Sequence, residues 1–356
     1  MTDPVLEQGP ASWDFLALVG PTASGKTKAA MTLSEAYNIE LISMDSALVY
    51  RGMDIGTAKP SALERGKVPH HLIDIRDAHE PFSAADFAKQ AKDLIGEIKS
   101  RGAIPVVVGG TFLYFNALVY GLDDLPLAHQ ETRQNILQEA QDVGWPKMHE
   151  KLQRIDPVTA KRLAPRDAQR IGRALEVWML TGQSISSLQT KYAGEPKEVL
   201  EPLQASYLLL SFEPTDRAWL HANIERRFRH MLSEGFLQEV WPFYKNPNLN
   251  ASLPSMRCVG YRQAWAFLQS MEEAMGLGLG FQTIESELYC EMPIYEQFVK
   301  DSLTATRQLA KRQLTWLRSM KHRRVFACDA QDFETQVQEY LGLAIEQHPV
   351  YQRLKK

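Results

Sequence analysis

The chain has 356 residues, which is long enough for one large domain with an insertion, or for two domains. Of these residues, 44% are hydrophobic and 23% are charged, as is typical of a globular protein. The formal net charge of −3 excludes a global attraction to nucleic acid, so an RNA partner would require local basic surfaces. The sequence contains no apolar run of membrane-spanning length, and its acidic start has the character of neither a signal peptide nor a transit peptide. The scattered residues Cys258, Cys290 and Cys328 indicate neither a disulfide framework nor a zinc site, so we expect a cytoplasmic protein without membrane association.

The first predicted elements surround a glycine-rich pattern in residues 15–27, FLALVGPTASGKT. An apolar strand precedes G-x-x-x-x-G-K-[ST], and a helix follows it, which is the setting of a phosphate loop. Glycines allow a tight turn with inward-pointing N–H groups, the lysine supplies a charge, the threonine hydroxyl can hold Mg²⁺, and the helix adds its positive end. We therefore predict a polyphosphate site with Mg²⁺ as cofactor, held through Thr27. The site is formed by Gly20, Pro21, Thr22, Ala23, Ser24, Gly25, Lys26 and Thr27.

Further apolar runs predict an α/β fold, a P-loop NTPase-like parallel sheet flanked by helices, with an all-helical insertion domain. Strands are predicted at 39–43, 71–74, 104–108, 207–211 and 325–328, a helix capped by Ser83 ends near Gly102, and further helices fill 216 to about 320. We predict that the first part of the core spans 1–121, the helical insertion 122–202, the completion of the core 203–330 and a C-terminal tail helix 331–356. Residues 271–292 have little regular pattern, and we predict that they form an excursion of the chain on the protein surface.

Two polar residues follow predicted strands on the sheet edge that also carries the phosphate loop. Asp45 follows the second strand, and Thr111 follows Gly109 and Gly110 after the strand at 104–108. Ligands bind outside the carboxyl ends of such strands, so Asp45 can accept a proton from an attacking nucleophile, although it could also cap a helix or form a turn. Thr111 could donate to a phosphate oxygen, cap the next helix, or do both.

Basic residues form two helical stripes with few acidic neighbours. Arg166, Arg170 and Arg173 recur at spacings of four and three, and Arg307, Lys311 and Arg318 align on a second helix. Such stripes are usually solvated faces, but the scarcity of acids favours binding to a phosphate backbone. Residues 257–262, RCVGYR, could hold an unstacked nucleotide, whereas His70 and His71 are interpreted as strand-edge residues rather than metal ligands.

Six segments together make the chain resemble the bacterial tRNA dimethylallyltransferase (isopentenyl-tRNA transferase) family. They are GPTASGKT (20–27), DSALVYRGMDIGTAKP (45–60), HHLIDI (70–75), VVGGTFLY (107–114), LPSMRCVGYRQ (253–263) and ATRQLAKRQLTWLR (305–318). The resemblance implies transfer of a dimethylallyl group from dimethylallyl diphosphate, with Mg²⁺, to N6 of the adenosine immediately 3′ of the anticodon in tRNA. It also implies that the insertion clasps the anticodon stem-loop of the tRNA, and we expect the enzyme to be a monomer.

The resemblance also assigns roles to individual residues. It implies that Asp45 is the general base, that Thr111 lies near the reacting centre and that Arg227 binds the diphosphate. The implied tRNA-binding residues are Asp45, Ser46, Ala47, Leu48, Arg133, Gln169, Arg170, Ile171, Gly172, Arg173, Arg257, Cys258, Val259, Gly260, Tyr261, Arg262, Lys311, Arg312, Gln313, Leu314, Thr315, Trp316, Leu317 and Arg318. Two departures from the family are Leu48, where many members have Gln, and the length of the segment 271–292.

Two other readings remain open at the level of the residues. A small-molecule or nucleoside kinase would bind ATP in the same loop, use Asp45 to activate a hydroxyl and use the insertion as a lid. A non-catalytic RNA-binding switch of the GTPase type is disfavoured because the chain lacks an N-K-x-D sequence.

Overall fold

The computed structural model describes residues 12–189, 206–275, 292–320 and 322–351. The chain divides into two compact units, one formed by Met1–Val119 with Gln204–Lys356 and the other by Tyr120–Leu203. The second unit coincides, to within two residues, with the insertion predicted at 122–202. Among the helices of the described ranges, none combines the length and apolar character that a bilayer crossing requires.

The larger unit is built on a parallel sheet of six strands. The strands are β1 (Phe15–Val19), β2 (Ile39–Met44), β3 (His70–His71), β4 (Ile104–Gly109), β5 (Tyr207–Glu213) and β6 (Arg324–Ala327), in the order β3-β2-β4-β1-β5-β6. Residues of β1 and β2 are buried throughout, because helices cover both faces of a parallel sheet. The predicted α/β class is confirmed. The carboxyl ends of β1, β2 and β4 therefore lie side by side.

Helices occupy most of the remaining described chain. They are α1 (Lys26–Ala36), α2 (Ala62–Lys67), α3 (Ala84–Ser100), α4 (Phe112–Tyr120), α5 (Gln130–Val143), α6 (Trp145–Ile155), α7 (Pro157–Arg162), α8 (Ala168–Thr181), α9 (Ile185–Leu188), α10 (Arg217–Ser233), α11 (Phe236–Lys245), α12 (Tyr261–Met275), α13 (Pro293–Ser319) and α14 (Phe333–Glu346). A capping box fixes the start of α3, since Ser83 accepts from the Asp86 N–H and the Asp86 carboxylate accepts from the Ser83 N–H. Helix α14 belongs to the predicted tail at 331–356, and its Phe333 and Val337 pack in the same core cluster as β5 and β6.

The second unit is helical throughout its described residues, as its lack of strand-like runs predicts. Its helices α5 to α9 pack around an apolar cluster that includes Ile136, Met148, Leu152, Ile171 and Leu175. These residues recur at helical spacings on α5, α6 and α8, so each helix buries one face and exposes the other.

Two predicted elements differ from the structure. The strand predicted at 71–74 stops at His71, because Leu72 and Asp74 adopt left-handed backbone angles with φ of 62° and 56° that a strand cannot contain. The turn directs the Asp74 carboxylate to Lys59 and Arg65, at 2.5 and 2.6 Å. Residues 271–275 of the predicted excursion form the end of α12, and residues 276–291 lie outside the described ranges.

Gly109 permits the close approach of β4 to β2, and its substitution is expected to destabilise the sheet. A Cβ atom at Gly109 would lie 2.1 Å from the Met44 carbonyl oxygen, so Gly109→Ala should lower the free energy of unfolding by about 2 kcal/mol or more. Gly96 lies inside α3 with open space around it, so Gly96→Ala should raise stability by about 0.5–1 kcal/mol. Chemical denaturation of both variants measures the contrast. Equal stability of Gly109→Ala and the unaltered chain would contradict the packing argument.

Candidate active site

The loop of residues 20–27 connects β1 to the first residues of α1 in a concave backbone path. Ala23 and Gly25 both have left-handed backbone angles, with φ of 64° and 86°, and such alternation turns successive N–H groups toward one side. Gly20 has a different reason to be glycine: a Cβ atom there would lie 2.6 Å from the Ser24 Oγ and 2.7 Å from the Phe212 carbonyl oxygen. The loop therefore forms an anion cradle next to the positive end of α1.

Lys26 closes over this loop. Its Nζ donates to the carbonyl oxygens of Gly20 and Pro21, at 3.0 and 2.7 Å. Burial and the nearby Arg227 guanidinium lower the pKa of Lys26 to about 8, whereas the Asp45 carboxylate opposes this shift. A bound anion would favour the charged form of Lys26 and offset the unfavourable effect of Arg227 on it.

Arg227 reaches the same site from α10. Its Nη2 donates to the Thr57 carbonyl oxygen at 3.1 Å. Burial lowers the pKa of Arg227, and Asp45 again opposes the shift. The structure thus brings Lys26, Asp45 and Arg227 within electrostatic range of one another, although they are widely separated in the sequence.

Asp45 and Thr111 lie together at the ends of β2 and β4. The Oδ1 of Asp45 accepts from the Ala47 N–H at 2.8 Å, which is the turn-forming role that the sequence left open. The Ser46 N–H donates to the Thr111 Oγ1 at 3.2 Å, and the Thr111 N–H donates to the Met44 carbonyl oxygen at 3.2 Å. Thr111 therefore fixes the backbone next to Asp45.

Sequence reasoning missed Glu239, which organises the segment between Asp45 and Lys59. From α11, its Oε2 accepts from the N–H groups of Asp54 and Ile55, at 2.9 and 2.6 Å, and its Oε1 accepts from the Gly56 N–H at 3.1 Å. These bonds hold the loop whose next residue, Thr57, binds Arg227. No local pattern around Glu239 signals this role.

The chain is similar to known proteins over most of its length. A family model described as IPP transferase matches residues 48–320. The chain belongs to the IPP transferase family. Among curated proteins, it is similar to the tRNA dimethylallyltransferase of Albidiferax ferrireducens (50% identity over 332 residues, 91% of this chain and 89% of the relative) and to that of an Acidovorax species (51% over 326 residues, 90% and 94%). Among solved structures, the full-length tRNA isopentenylpyrophosphate transferase of Bacillus halodurans has a TM-score of 0.61 and 33% identity, covering 94% of this chain and 96% of that one. Membership confirms the resemblance and does not favour the kinase interpretation.

For this member of the IPP transferase family, the basic stripe on α13 is largely exposed. Lys311, Arg312 and Arg318 are exposed, whereas Arg307 pairs with Glu225 at 3.4 Å. Leu317 is fully buried, so its side chain is not accessible to an RNA in this structure. The exposed cations remain candidates for RNA contact.

Gln313, which the resemblance places among the tRNA contacts, has its side chain inside the protein. It is 9% exposed, and its amide bonds to the backbone of Thr22 and Gly110. The Gln313 side chain therefore bonds to the protein backbone in this structure, and the tRNA contact that the resemblance implies for it stays a prediction.

The basic stripe of the helical unit differs more from the prediction. Arg166 precedes the start of α8 and does not share its face. The carboxylate of Glu176, which is inaccessible to solvent, accepts bonds from Arg133 and Arg173, at 2.9 and 2.8 Å. Burial opposes ionisation of Glu176, but bonds from Arg173, the His129 N–H and Arg133 hold the pKa of Glu176 below its ordinary value.

Other predicted RNA contacts of the same helix have different environments. Arg170 is exposed and lies 3.7 Å from Asp167, and Gln169 is exposed. The Ile171 side chain is buried and is not accessible to RNA in this structure. Gly172 has no side chain, and its backbone lies close to the Trp145 ring.

Residues 257–262 lie at the edge of the Asp45 site. Arg257 and Arg262 are exposed, but Tyr261 is buried with its hydroxyl donating to Glu239. Burial, with a smaller contribution from Asp45, raises the pKa of the Cys258 thiol to about 12, so this thiol stays neutral beside the carboxylate. Gly260 has a φ of 94°, which makes glycine the favoured residue at this turn.

The structure places His70 and His71 at the edge of the sheet. His70 and His71 form the short edge strand β3, and His71 bonds to Glu40 at 2.6 Å. Across the described ranges, no group of three or more His, Cys, Asp or Glu side chains is arranged to hold a metal ion.

The lowered pKa of Lys26 predicts that any binding of pyrophosphate at this loop depends on pH. A bound anion should raise this pKa above about 8, so binding at pH values just above 8 should take up a proton, and affinity should fall as pH rises further. Titration calorimetry in buffers of different ionisation enthalpy measures the uptake. In Lys26→Arg the side chain keeps its proton at every pH used, so the uptake due to this residue should disappear. The same proton uptake in both proteins would contradict the assignment.

Proposed function

We propose that the chain transfers the dimethylallyl group of dimethylallyl diphosphate to N6 of the adenosine immediately 3′ of the anticodon in tRNA and releases diphosphate. The observation that carries this proposal is that the charged groups of Lys26, Arg227 and Asp45 lie within electrostatic range of one another, near the edge of the sheet where its strands end. A cationic cradle suits the leaving group, and an adjacent carboxylate suits the nucleophile. The relatives named above as tRNA dimethylallyltransferases support the same reaction.

The nucleophile needs help because the lone pair of an adenine amino group is delocalised into the ring. In the proposed step a C–N bond forms at the allylic carbon while its C–O bond to diphosphate breaks. The amino proton passes to the Asp45 carboxylate, and such proton transfer is typically worth about 10²–10⁴-fold in rate. The bond from the Ala47 N–H fixes the orientation of this carboxylate.

The leaving group needs its growing negative charge stabilised. Backbone N–H groups of the loop after Thr22, the Lys26 ammonium and the Arg227 guanidinium would stabilise this charge with little reorganisation during the reaction. Thr27 is exposed at the first turn of α1, and its hydroxyl fits Mg²⁺, which takes few protein ligands and completes its shell with water and phosphate oxygens. Bound in this way, Mg²⁺ would neutralise diphosphate charge.

Exposed basic side chains provide the proposed binding surface for the tRNA. The exposed cations of α13 and the exposed Arg170 of α8 would bind the phosphate backbone of the anticodon stem-loop. The target base would be flipped out of the loop, at a cost of a few kcal/mol that is lowest for an unpaired nucleotide. The tRNA substrate implies a cytoplasmic enzyme, which we propose to act as a monomer.

Nucleoside analysis tests the function directly. After incubation with dimethylallyl diphosphate, Mg²⁺ and tRNA that lacks the modification, mass spectrometry should detect N6-isopentenyladenosine. A kinase would instead be stabilised more by ATP with Mg²⁺ than by dimethylallyl diphosphate with Mg²⁺, and thermal melting distinguishes the two. Guanine-nucleotide binding without prenyl transfer would favour the switch reading.

Removal of the proposed base should affect turnover rather than RNA binding. Asp45→Asn keeps the shape of the side chain but cannot accept the proton, so kcat should fall by at least about 10²-fold while tRNA affinity changes little. Asp93→Asn, which neutralises an exposed carboxylate on α3, is the matched control and should leave kcat unchanged. Turnover of Asp45→Asn at the unaltered rate would eliminate Asp45 as the base.

The exposed stripe on α13 should appear in the salt dependence of tRNA binding. Arg318→Ala should weaken binding and reduce the slope of log K against log salt concentration by about one. Lys67→Ala removes an exposed cation of α2 outside the proposed footprint and should leave the slope unchanged. Identical slopes for Arg318→Ala and the unaltered chain would remove this part of α13 from the RNA interface. Arg173→Ala should destabilise the helical unit, since Glu176 loses a partner, and any weaker tRNA binding should accompany a lower melting temperature of the free protein.

A further inference from the structure

We propose that Gln313 is a positioning residue that holds the diphosphate loop in register with the turn that carries the proton acceptor. This inference rests on the function proposed above and adds a residue that acts through the backbone rather than on a substrate. Its basis is one buried amide that bonds to both halves of the site.

The amide of Gln313 has a fixed orientation between two backbone groups. Its Oε1 accepts from the Thr22 N–H at 2.8 Å, and its Nε2 donates to the Gly110 carbonyl oxygen at 3.0 Å. An N–H group and a carbonyl can be satisfied together by an amide only in one of its two orientations. The side chain is 9% exposed, so water competes weakly for these bonds.

The first bond acts on the phosphate loop. Thr22 lies directly before Ala23, the residue at which the loop enters the left-handed conformation. A non-glycine residue in that conformation carries strain that the surroundings must hold in place. The bond to Gln313 fixes the peptide N–H just before this strained residue and thereby the direction of the N–H groups that follow.

The second bond acts on the opposite half of the site. Gly110 precedes Thr111, whose Oγ1 accepts from the N–H of Ser46, the neighbour of Asp45. A Cβ atom at residue 110 would lie 2.3 Å from the Gln313 Nε2, so the Gln313 amide is in close contact with the backbone of Gly110. Gln313 therefore fixes the distance between the leaving-group cradle and the carboxylate, and errors of about 1 Å in such distances can cost about 10²-fold in rate.

Gln313→Met tests this role, because methionine fills a similar volume without accepting or donating these bonds. Titration calorimetry with pyrophosphate and Mg²⁺ in the absence of tRNA should show affinity reduced about tenfold, the loss typical of a buried hydrogen bond. Affinity for tRNA should be unchanged, and kcat should fall. Gln297→Met, at an exposed glutamine of the same helix that bonds to Asp301, should match the unaltered chain in all three measurements.

A second variant reaches the same contact from the other side. Gly110→Ala should displace the Gln313 amide and also reduce pyrophosphate affinity, and the double variant should lose less than the sum of the two single losses. If Gln313→Met fails to fold, the loss of pyrophosphate affinity in Gly110→Ala still supports the proposal, and unaltered affinity there overturns it. A residue that only packs the core would lower the melting temperature without changing pyrophosphate affinity.

Two further outcomes would overturn the positioning role of Gln313, and a third would overturn the proposed function. Unaltered pyrophosphate affinity in Gln313→Met would overturn the positioning role. Reduced tRNA affinity with normal pyrophosphate affinity would also overturn it, because Gln313 would then be an RNA contact. If the unaltered chain binds no pyrophosphate, the proposed function itself fails.

Discussion

The burial of two cations, Lys26 and Arg227, near one carboxylate is the constraint on which the site depends. Lys26 begins α1 and Arg227 lies on α10, and each is desolvated near the other. Asp45 offsets part of this cost, but a single carboxylate does not neutralise two cations. A bound diphosphate would give both cations a partner, so the cost of burying them would be offset by binding of the leaving group.

The parallel sheet explains why residues so far apart in the chain meet. In a sheet of order β3-β2-β4-β1-β5-β6, the parallel strands β2, β4 and β1 are consecutive, so the loops that follow them share one edge of the sheet. These loops have little regular structure of their own, and their backbone groups need partners from elsewhere. Glu239 supplies three N–H groups of the loop at 54–56 with an acceptor, and Lys59 donates to the Tyr50 carbonyl at 2.7 Å. Charged side chains here replace the bonds that a strand or helix would have made.

The sequence predicted those features that depend on local patterns. The strands β1, β2, β4, β5 and β6 were predicted to within two residues of their ends, and the tight turn between β1 and α1 was expected from its glycine spacing. Glu239 and Gln313 could not be predicted as supports, because their partners lie 183 to 185 and 203 to 291 residues away. The early end of β3 and the inward direction of Arg173 depend on the tertiary partners of Asp74 and Glu176. Charge spacing identifies a helical face but not what packs against it.

Helix α13 has a buried face and an exposed face, and only the structure shows which of its residues lie on each. The resemblance assigns all of residues 311–318 to RNA binding. The structure divides them by helical period. Gln313 and Leu317 lie four residues apart on the buried face, which also contains the preceding Ala310, whereas Lys311, Thr315 and Arg318 recur at spacings of four and three on the exposed face. The same eight residues thus hold the phosphate loop on one side and present cations on the other. A rigid helix with both faces occupied would keep the RNA-binding cations at a fixed distance from the diphosphate cradle, which is what alkylation of one particular base requires.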